Sequence, residues 1–169
     1  MIVSSGLKDA VTQNGASIVQ AVSSAQVAHA RELFLEYAAS LNFSLCFQNF
    51  DRELAELPGD YVPPHGRLLL MHYQMQPAGC VALHQLEPGI CEMKRLYVRP
   101  TFRGKKLGVT LIDAVIAEAR LIGYKFMRLD TVEPAMKDAV ALYRRFGFKQ
   151  IAPYRVNPMP GALYMELQL

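Results

Sequence analysis

The chain has 169 residues, 51% of them hydrophobic and 20% charged, with 18 basic against 15 acidic side chains. That balance fits one globular domain with a substantial core and excludes a disordered chain. A formal net charge of +3 is too small to imply nucleic acid by itself, and three cysteines without C-x-x-C spacing exclude a disulfide framework or zinc knuckle.

Residues 1–15 mix Ser, Gly, Asn and Lys and read as a loose leader to a single domain spanning 1–169. The start lacks a basic region followed by an apolar stretch, so no signal peptide is expected. Ala16 to Val22 reads as a short strand. Ala25 to Leu41 carries Val27, Ala30, Leu33, Phe34, Tyr37, Ala38 and Leu41 at helical spacing. A short helix follows from Phe50 to Leu57. The stretch 58–66 holds three prolines, which remove donors and fix the backbone, and reads as an ordered loop. Arg67 to Gln74 and Gly79 to Gln85 read as strands flanking a turn at Gln76-Pro-Ala-Gly79. The apolar run Leu68 to Met71 is far shorter than the ~20 residues of a membrane span, so the expected location is the cytoplasm.

Cys91 to Val98 is a further strand, ended by Pro100. Lys106 to Ile122 is a long, largely apolar helix capped by Gly123. Lys125 to Asp130 is a strand, and Pro134 to Phe146 a helix closed by Gly147. Two last strands, about Lys149 to Pro153 and Leu163 to Leu169, flank a loop containing Asn157. The order β-α-α-β-β-β-α-β-α-β-β predicts a mixed α/β domain, with an antiparallel meander before one right-handed βαβ crossover.

Six basic residues, Lys94, Arg95, Arg99, Arg103, Lys105 and Lys106, lie between Glu92 and Asp113 with no acid among them. The run crosses a strand end, a glycine-containing loop and a helix start. Free N–H groups and the helix dipole make such a junction suited to a phosphate or pyrophosphate. A solvated charged loop explains the same stretch equally well. The Walker and Rossmann spacings are absent.

Leu96, Tyr97, Val98, Pro100, Arg103-Gly104 and Leu107-Gly108 resemble the coenzyme A-binding motif of the GNAT superfamily of N-acyltransferases. Ala139-Val-Ala-Leu-Tyr-Arg-Arg-Phe-Gly-Phe148 is similar to that family's later helix, and the two motifs come in the family's order. The resemblance covers Gly66 to Leu169 well and the N-terminal helices more loosely. One position departs from it: Lys106 stands where the family's loop has its middle glycine.

The resemblance implies the acyl-CoA N-acyltransferase fold, a central mixed sheet of six to seven strands flanked by about four helices. It implies acetyl-CoA as co-substrate, no metal, and direct transfer of acetyl to a primary amine of a small molecule or protein. The main chain of Leu96, Tyr97 and Val98 would hold the pantetheine arm, with the Val98 N–H polarising the thioester carbonyl. Arg103, Gly104, Lys105, Lys106, Leu107 and Gly108 would cradle the pyrophosphate. Tyr143 matches the family's acid position, although by spacing alone it is a core aromatic. Glu92 is the candidate base. By strand alternation it shares a face with Lys94, Leu96 and Val98, and an ion pair with Lys94 is an equal alternative. Asp130 and a water chain are weaker candidates. The acceptor site is expected near Phe47, Gln48, Phe50, Tyr154, Arg155 and Asn157, and Arg95 and Arg155 could hold an acceptor's carboxylate or simply be surface arginines.

His72 and His84, on the two arms of the first hairpin, lack further ligands for zinc. Two other classes compete: a non-catalytic acyl-CoA-binding regulator, and a nucleic-acid binder using the basic run, against which the modest net charge argues. No membrane partner is expected, and a homodimer is compatible with the sequence.

Overall fold

The apolar run Leu68 to Met71 is buried throughout, because its strand is covered on both faces. In the computed structural model, which describes residues 10–12 and 15–169, this strand is one of eight in a single sheet. The strands are β1 (Ala10–Thr12), β2 (Ala16–Gln20), β3 (Arg67–Tyr73), β4 (Gln76–Glu87), β5 (Ile90–Val98), β6 (Phe126–Val132), β7 (Lys149–Gln150) and β8 (Ala162–Gln168). The sheet order is β1-β2-β3-β4-β5-β6-β8-β7, antiparallel except where β5 pairs parallel with β6. The eighth strand is β1, which pairs with β2 inside the segment expected to be a loose leader.

Helices α1 (Ser24–Ser40) and α2 (Phe50–Glu56) cover one face. Leu33 and Phe34 of α1 pack there on Leu68, Leu70, Cys80, Ala82 and Tyr97. Helices α3 (Leu107–Ile122) and α4 (Lys137–Arg145) cover the other. Leu111, Ile112 and Val115 meet Leu69, Met71, Val81, Met127 and Met165 on that side. Ser23 starts α1 with a reciprocal cap, its hydroxyl accepting from the Gln26 N–H while Gln26 Oε1 accepts from the Ser23 N–H. Gly123 ends α3 in the left-handed conformation.

Three local expectations are corrected. The β3–β4 turn is Gln74-Met75, both at positive φ, and Pro77 and Gly79 lie inside β4 beside an irregularity at Met71/His72. Helix α4 starts at Lys137 because residues 133–135 form a turn first. The penultimate strand is only the two residues of β7. His72 and His84 also part company: His72 lies against His29, and His84 opposite Glu92.

Candidate active site

Strand β5 pairs with β6 only at Ile90, Cys91 and Glu92. Beyond Glu92 the two strands separate, while β6 goes on pairing with β8 as far as Val132. The opening leads into a cleft of about 790 Å³ lined by Leu96, Tyr97, Val98, Arg103, Gly108 and residues 134–139. The Arg99 N–H donates to the Ala78 carbonyl of β4. Strand alternation therefore turns the Val98 N–H and C=O away from β4, toward the cleft. The Val98 carbonyl indeed accepts from Arg103 Nε at 3.2 Å.

The strand is not regular. Arg95 has φ +58°, and the β4–β5 register slips between Cys80 and Ala82. This bulge reverses the alternation. Met93, Leu96 and Val98 face α3, whereas Tyr97 faces α1 with Cys80 and Ala82. Glu92 and Lys94 lie on that second side, so Glu92 does not share a face with Leu96 and Val98, as unbroken alternation predicts.

The loop after β5 enters α3 through two left-handed residues, Gly104 and Lys106. Among the described residues no backbone hydrogen bond takes up the N–H groups of residues 104–109; the first such bond of the helix is Thr110 N–H to the Lys106 carbonyl. Six successive donors, with the dipole of a long helix behind them, form a cradle that fits a pyrophosphate. Only part of the basic run serves it. Arg103 lines the cleft and Lys106 is exposed. Lys105 instead lies over the Tyr73 ring at 5.5 Å, and Arg99 is clamped to Glu36 of α1. Leu107 is buried in the core and contributes its backbone alone.

Tyr143 is buried against Phe148 on α4, next to the cleft-lining Leu142. Burial raises its hydroxyl above the usual phenol range, with Tyr37 adding to the effect, so it holds its proton. That hydroxyl has no hydrogen-bond partner among the described residues. Tyr37 of α1 lines both the cleft and a second, smaller pocket beside it, and burial raises its hydroxyl too. Sequence reading placed Tyr37 only on the apolar face of a helix. A polar-tipped aromatic near that helix's end was the available signal.

The second pocket, about 40 Å³, is bordered by Gln48, Lys94, Arg95, Asp130, Met136 and Asn157 among others. Gln48 and Asn157, two of the residues expected near an acceptor, thus border one pocket. The Phe47 side chain lies outside the described residues. Three charged candidates are already engaged. The Arg95 guanidinium donates to both oxygens of Glu53 and to Gln48 Oε1, and stacks over Phe50 at 5.1 Å. Glu92 is fully buried and accepts from His84 (3.0 Å), Tyr154 (2.7 Å) and Arg155. Burial alone would raise its pKa. The His84 hydrogen bond and the Lys94 and Arg155 charges outweigh burial and hold it at about 2. Such a carboxylate is a poor base. Glu92 is the anchor of the final loop, and neither Arg95 nor Arg155 is a free clamp for a substrate carboxylate.

Asp130 differs: its Oδ2 accepts from the Gln48 and Asn157 amides (3.3 and 3.0 Å), and its Oδ1 has no hydrogen-bond partner among the described residues. Cys80 and Cys91 are buried thiols, Cys91 pushed up to about 12 by burial, while Cys46 is exposed on the short turn before α2. Among the described residues no group of three or more His, Cys, Asp or Glu is arranged to hold a metal ion, and no helix is long and apolar enough to cross a membrane.

A mixed sheet parted beside a helix-capping loop defines a class of acyl-transfer protein, and comparison with known proteins agrees. Residues 28–148 match the acetyltransferase (GNAT) family model. An N-acetyltransferase of Schizosaccharomyces pombe is 47% identical over 139 residues, covering 81% of this chain and 85% of the relative. An acetyltransferase from Streptococcus agalactiae superposes with a TM-score of 0.75 at 20% identity, over 92% of this chain and 99% of that one. A GNAT family acetyltransferase from Elizabethkingia anophelis, solved with acetyl-CoA bound, superposes at 0.68 with 18% identity, over 93% and 100%. The chain belongs to the GNAT family of N-acetyltransferases.

Proposed function

We propose that this protein transfers the acetyl group of acetyl-CoA to a primary amine of a small molecule or protein in a ternary complex, acting in the cytoplasm. The observation that carries the reading is the parting of β5 from β6 after Glu92, which turns the Val98 N–H into a cleft that runs to the free N–H groups before α3. Acetyl-CoA supplies an acetyl group activated on sulfur. The main chain of Leu96, Tyr97 and Val98 holds the pantetheine arm, and the Val98 N–H polarises the thioester carbonyl. Arg103, Lys106 and the backbone from Gly104 to Gly108 hold the pyrophosphate.

The acceptor nitrogen forms the new bond to the acetyl carbon as the carbon–sulfur bond breaks. The amine gives up a proton, for which the unpartnered Oδ1 of Asp130 is the available carboxylate oxygen. The sulfur takes a proton, for which the Tyr143 hydroxyl is the donor.

The test is release of coenzyme A thiol from acetyl-CoA across a broad amine panel. Tyr143→Phe is expected to lower turnover at least about tenfold with little change in acetyl-CoA affinity. Unchanged turnover removes Tyr143 as the acid. Acetyl-CoA binding without thiol release from any amine would instead make this chain a binding protein.

A further inference from the structure

We infer that the acceptor is a small amino acid-type molecule, a primary amine with a carboxylate a few carbons away, whose amine sits at Asp130 and whose carboxylate sits at Lys94. The inference rests on the acetyltransferase reading and names the substrate class of that same site. It starts from the strand register. Glu92 is paired with Arg128, so two residues further a continued parallel ladder would set Lys94 opposite Asp130. The strands part at that point, and no ion pair joins the two residues. A cation and an anion are held on facing strand ends with a gap between them, and both border the small pocket.

The other charges around the pocket are matched within the protein. Arg95 is hydrogen-bonded to Glu53 and Gln48, and Arg155 is ion-paired with Glu92, although its buried Nε has no hydrogen-bond partner among the described residues. Lys94 is not matched so closely. Its side chain is 12% exposed, its nearest carboxylate oxygen is 3.9 Å away on Glu92, and its ammonium makes no hydrogen bond among the described residues. Among the described residues Asp130 accepts hydrogen bonds only from two neutral amides, with the Arg155 charge acting on it from beyond ion-pair distance. The Lys94 ammonium donors are left for water or for a ligand's carboxylate. An ammonium with donors free and a carboxylate with one oxygen free, facing each other across the gap, complement a zwitterion.

Size and access agree. A pocket of about 40 Å³ holds a short head group. Lys94 and Gln48 also border an outer pocket of about 290 Å³ beside α2, with room for a side chain. On its other side the small pocket shares Tyr37 and Met136 with the cofactor cleft, so an amine at Asp130 lies on the acetyl side.

The test uses triplets: each common amino acid, its carboxamide and its decarboxylated amine. The carboxamide keeps the amine's position and removes the charge; because its amine is also less basic, rates are compared per unprotonated amine. For at least one triplet the amino acid is expected to exceed both analogues in kcat/KM by at least about tenfold. Lys94→Met, or Lys94→Gln if the first does not fold, is expected to bring the ratio to within about threefold of one. Asp130→Asn should depress all three members while the ratio persists. Equal or better turnover of amines lacking a carboxylate overturns the inference, as does a ratio that survives loss of Lys94. If no amine releases thiol, the transferase reading fails, and thermal shifts of the coenzyme A-saturated protein decide the inference alone. A shift with amino acids, absent with carboxamides and lost in the Lys94 variant, upholds it. No such shift overturns it.

Discussion

Lys106 has φ +60° and ψ +19° at the position before α3. A left-handed residue with a side chain is strained by roughly 1–2 kcal/mol, and glycine avoids most of that cost. The family's glycine therefore has a conformational reason, which this chain forgoes in exchange for a cation beside the cradle. Lys106→Gly is expected to raise stability by up to about 1 kcal/mol, read as a higher urea midpoint with the same slope. An unchanged or lower midpoint would show that the lysine side chain contributes more than its backbone costs. Arg95, the other non-glycine residue of this region at positive φ, is held by three hydrogen-bonded partner atoms on α2 and the turn before it. Its geometry is fastened from outside the strand.

At the scale of the element, β5 decides where chemistry can occur, and its neighbour β4 decides how β5 lies. An ideal Cβ at Gly79 would come within 2.6 Å of the Tyr97 carbonyl oxygen and 3.2 Å of Leu111 Cδ1. Only glycine lets the two strands approach opposite the cleft. Gly79→Ala should therefore displace Tyr97 and Val98 and cost about 1–3 kcal/mol. Acetyl-CoA affinity should fall with it, which calorimetric titration would detect; intact affinity would separate the strand's position from the binding site. The strands and helices themselves were largely legible, because apolar runs, Gly123, Gly147 and the Pro-rich segment 58–66 signal through local chemistry. The bulge was not. Nothing in Met93-Lys-Arg-Leu96 marks a left-handed residue, so alternation carried through it assigns Glu92 to the wrong side. The first hairpin failed likewise: Gln74 and Met75 are ordinary residues in a turn that usually selects Asn or Gly, while Pro77 and Gly79 are turn formers inside a strand.

Across the whole molecule, two cores lie on opposite faces of one sheet, and buried ion pairs fasten outer segments to it. Arg67 of β3 meets Glu118 of α3 at 2.5 Å, and Glu92 ties β4 and β5 to the loop before β8. The second tie is a pH device by linkage. Glu92 is held at about 2 when folded, against an ordinary carboxylate value of about 4.3 when unfolded. Its contribution is therefore fully present above the unfolded value and is lost as the pH falls toward 2. Glu92→Gln leaves Arg155 and Lys94 uncompensated and should cost several kcal/mol at pH 7. The gap between the urea midpoints of the two proteins should narrow between pH 5 and about 2. A gap independent of pH would mean that the carboxylate is not what anchors the loop. This network was half visible in the sequence. Glu92 and Lys94 were adjacent enough to pair on paper, but Tyr154 and Arg155 arrive from more than sixty residues away, and Tyr37 and Asp130 meet the small pocket only through the fold.

The placement of the cysteines has a practical side. Cys80 and Cys91 are sealed in the interior, and Cys46 alone is exposed, two residues before Gln48, whose amide reaches Asp130. A thiol-directed fluorophore would attach at one chemical address on the native protein. It would sit next to Leu45 and near Gln48 of the small pocket proposed for the acceptor, where its emission could follow occupancy directly while acetyl transfer is still under way.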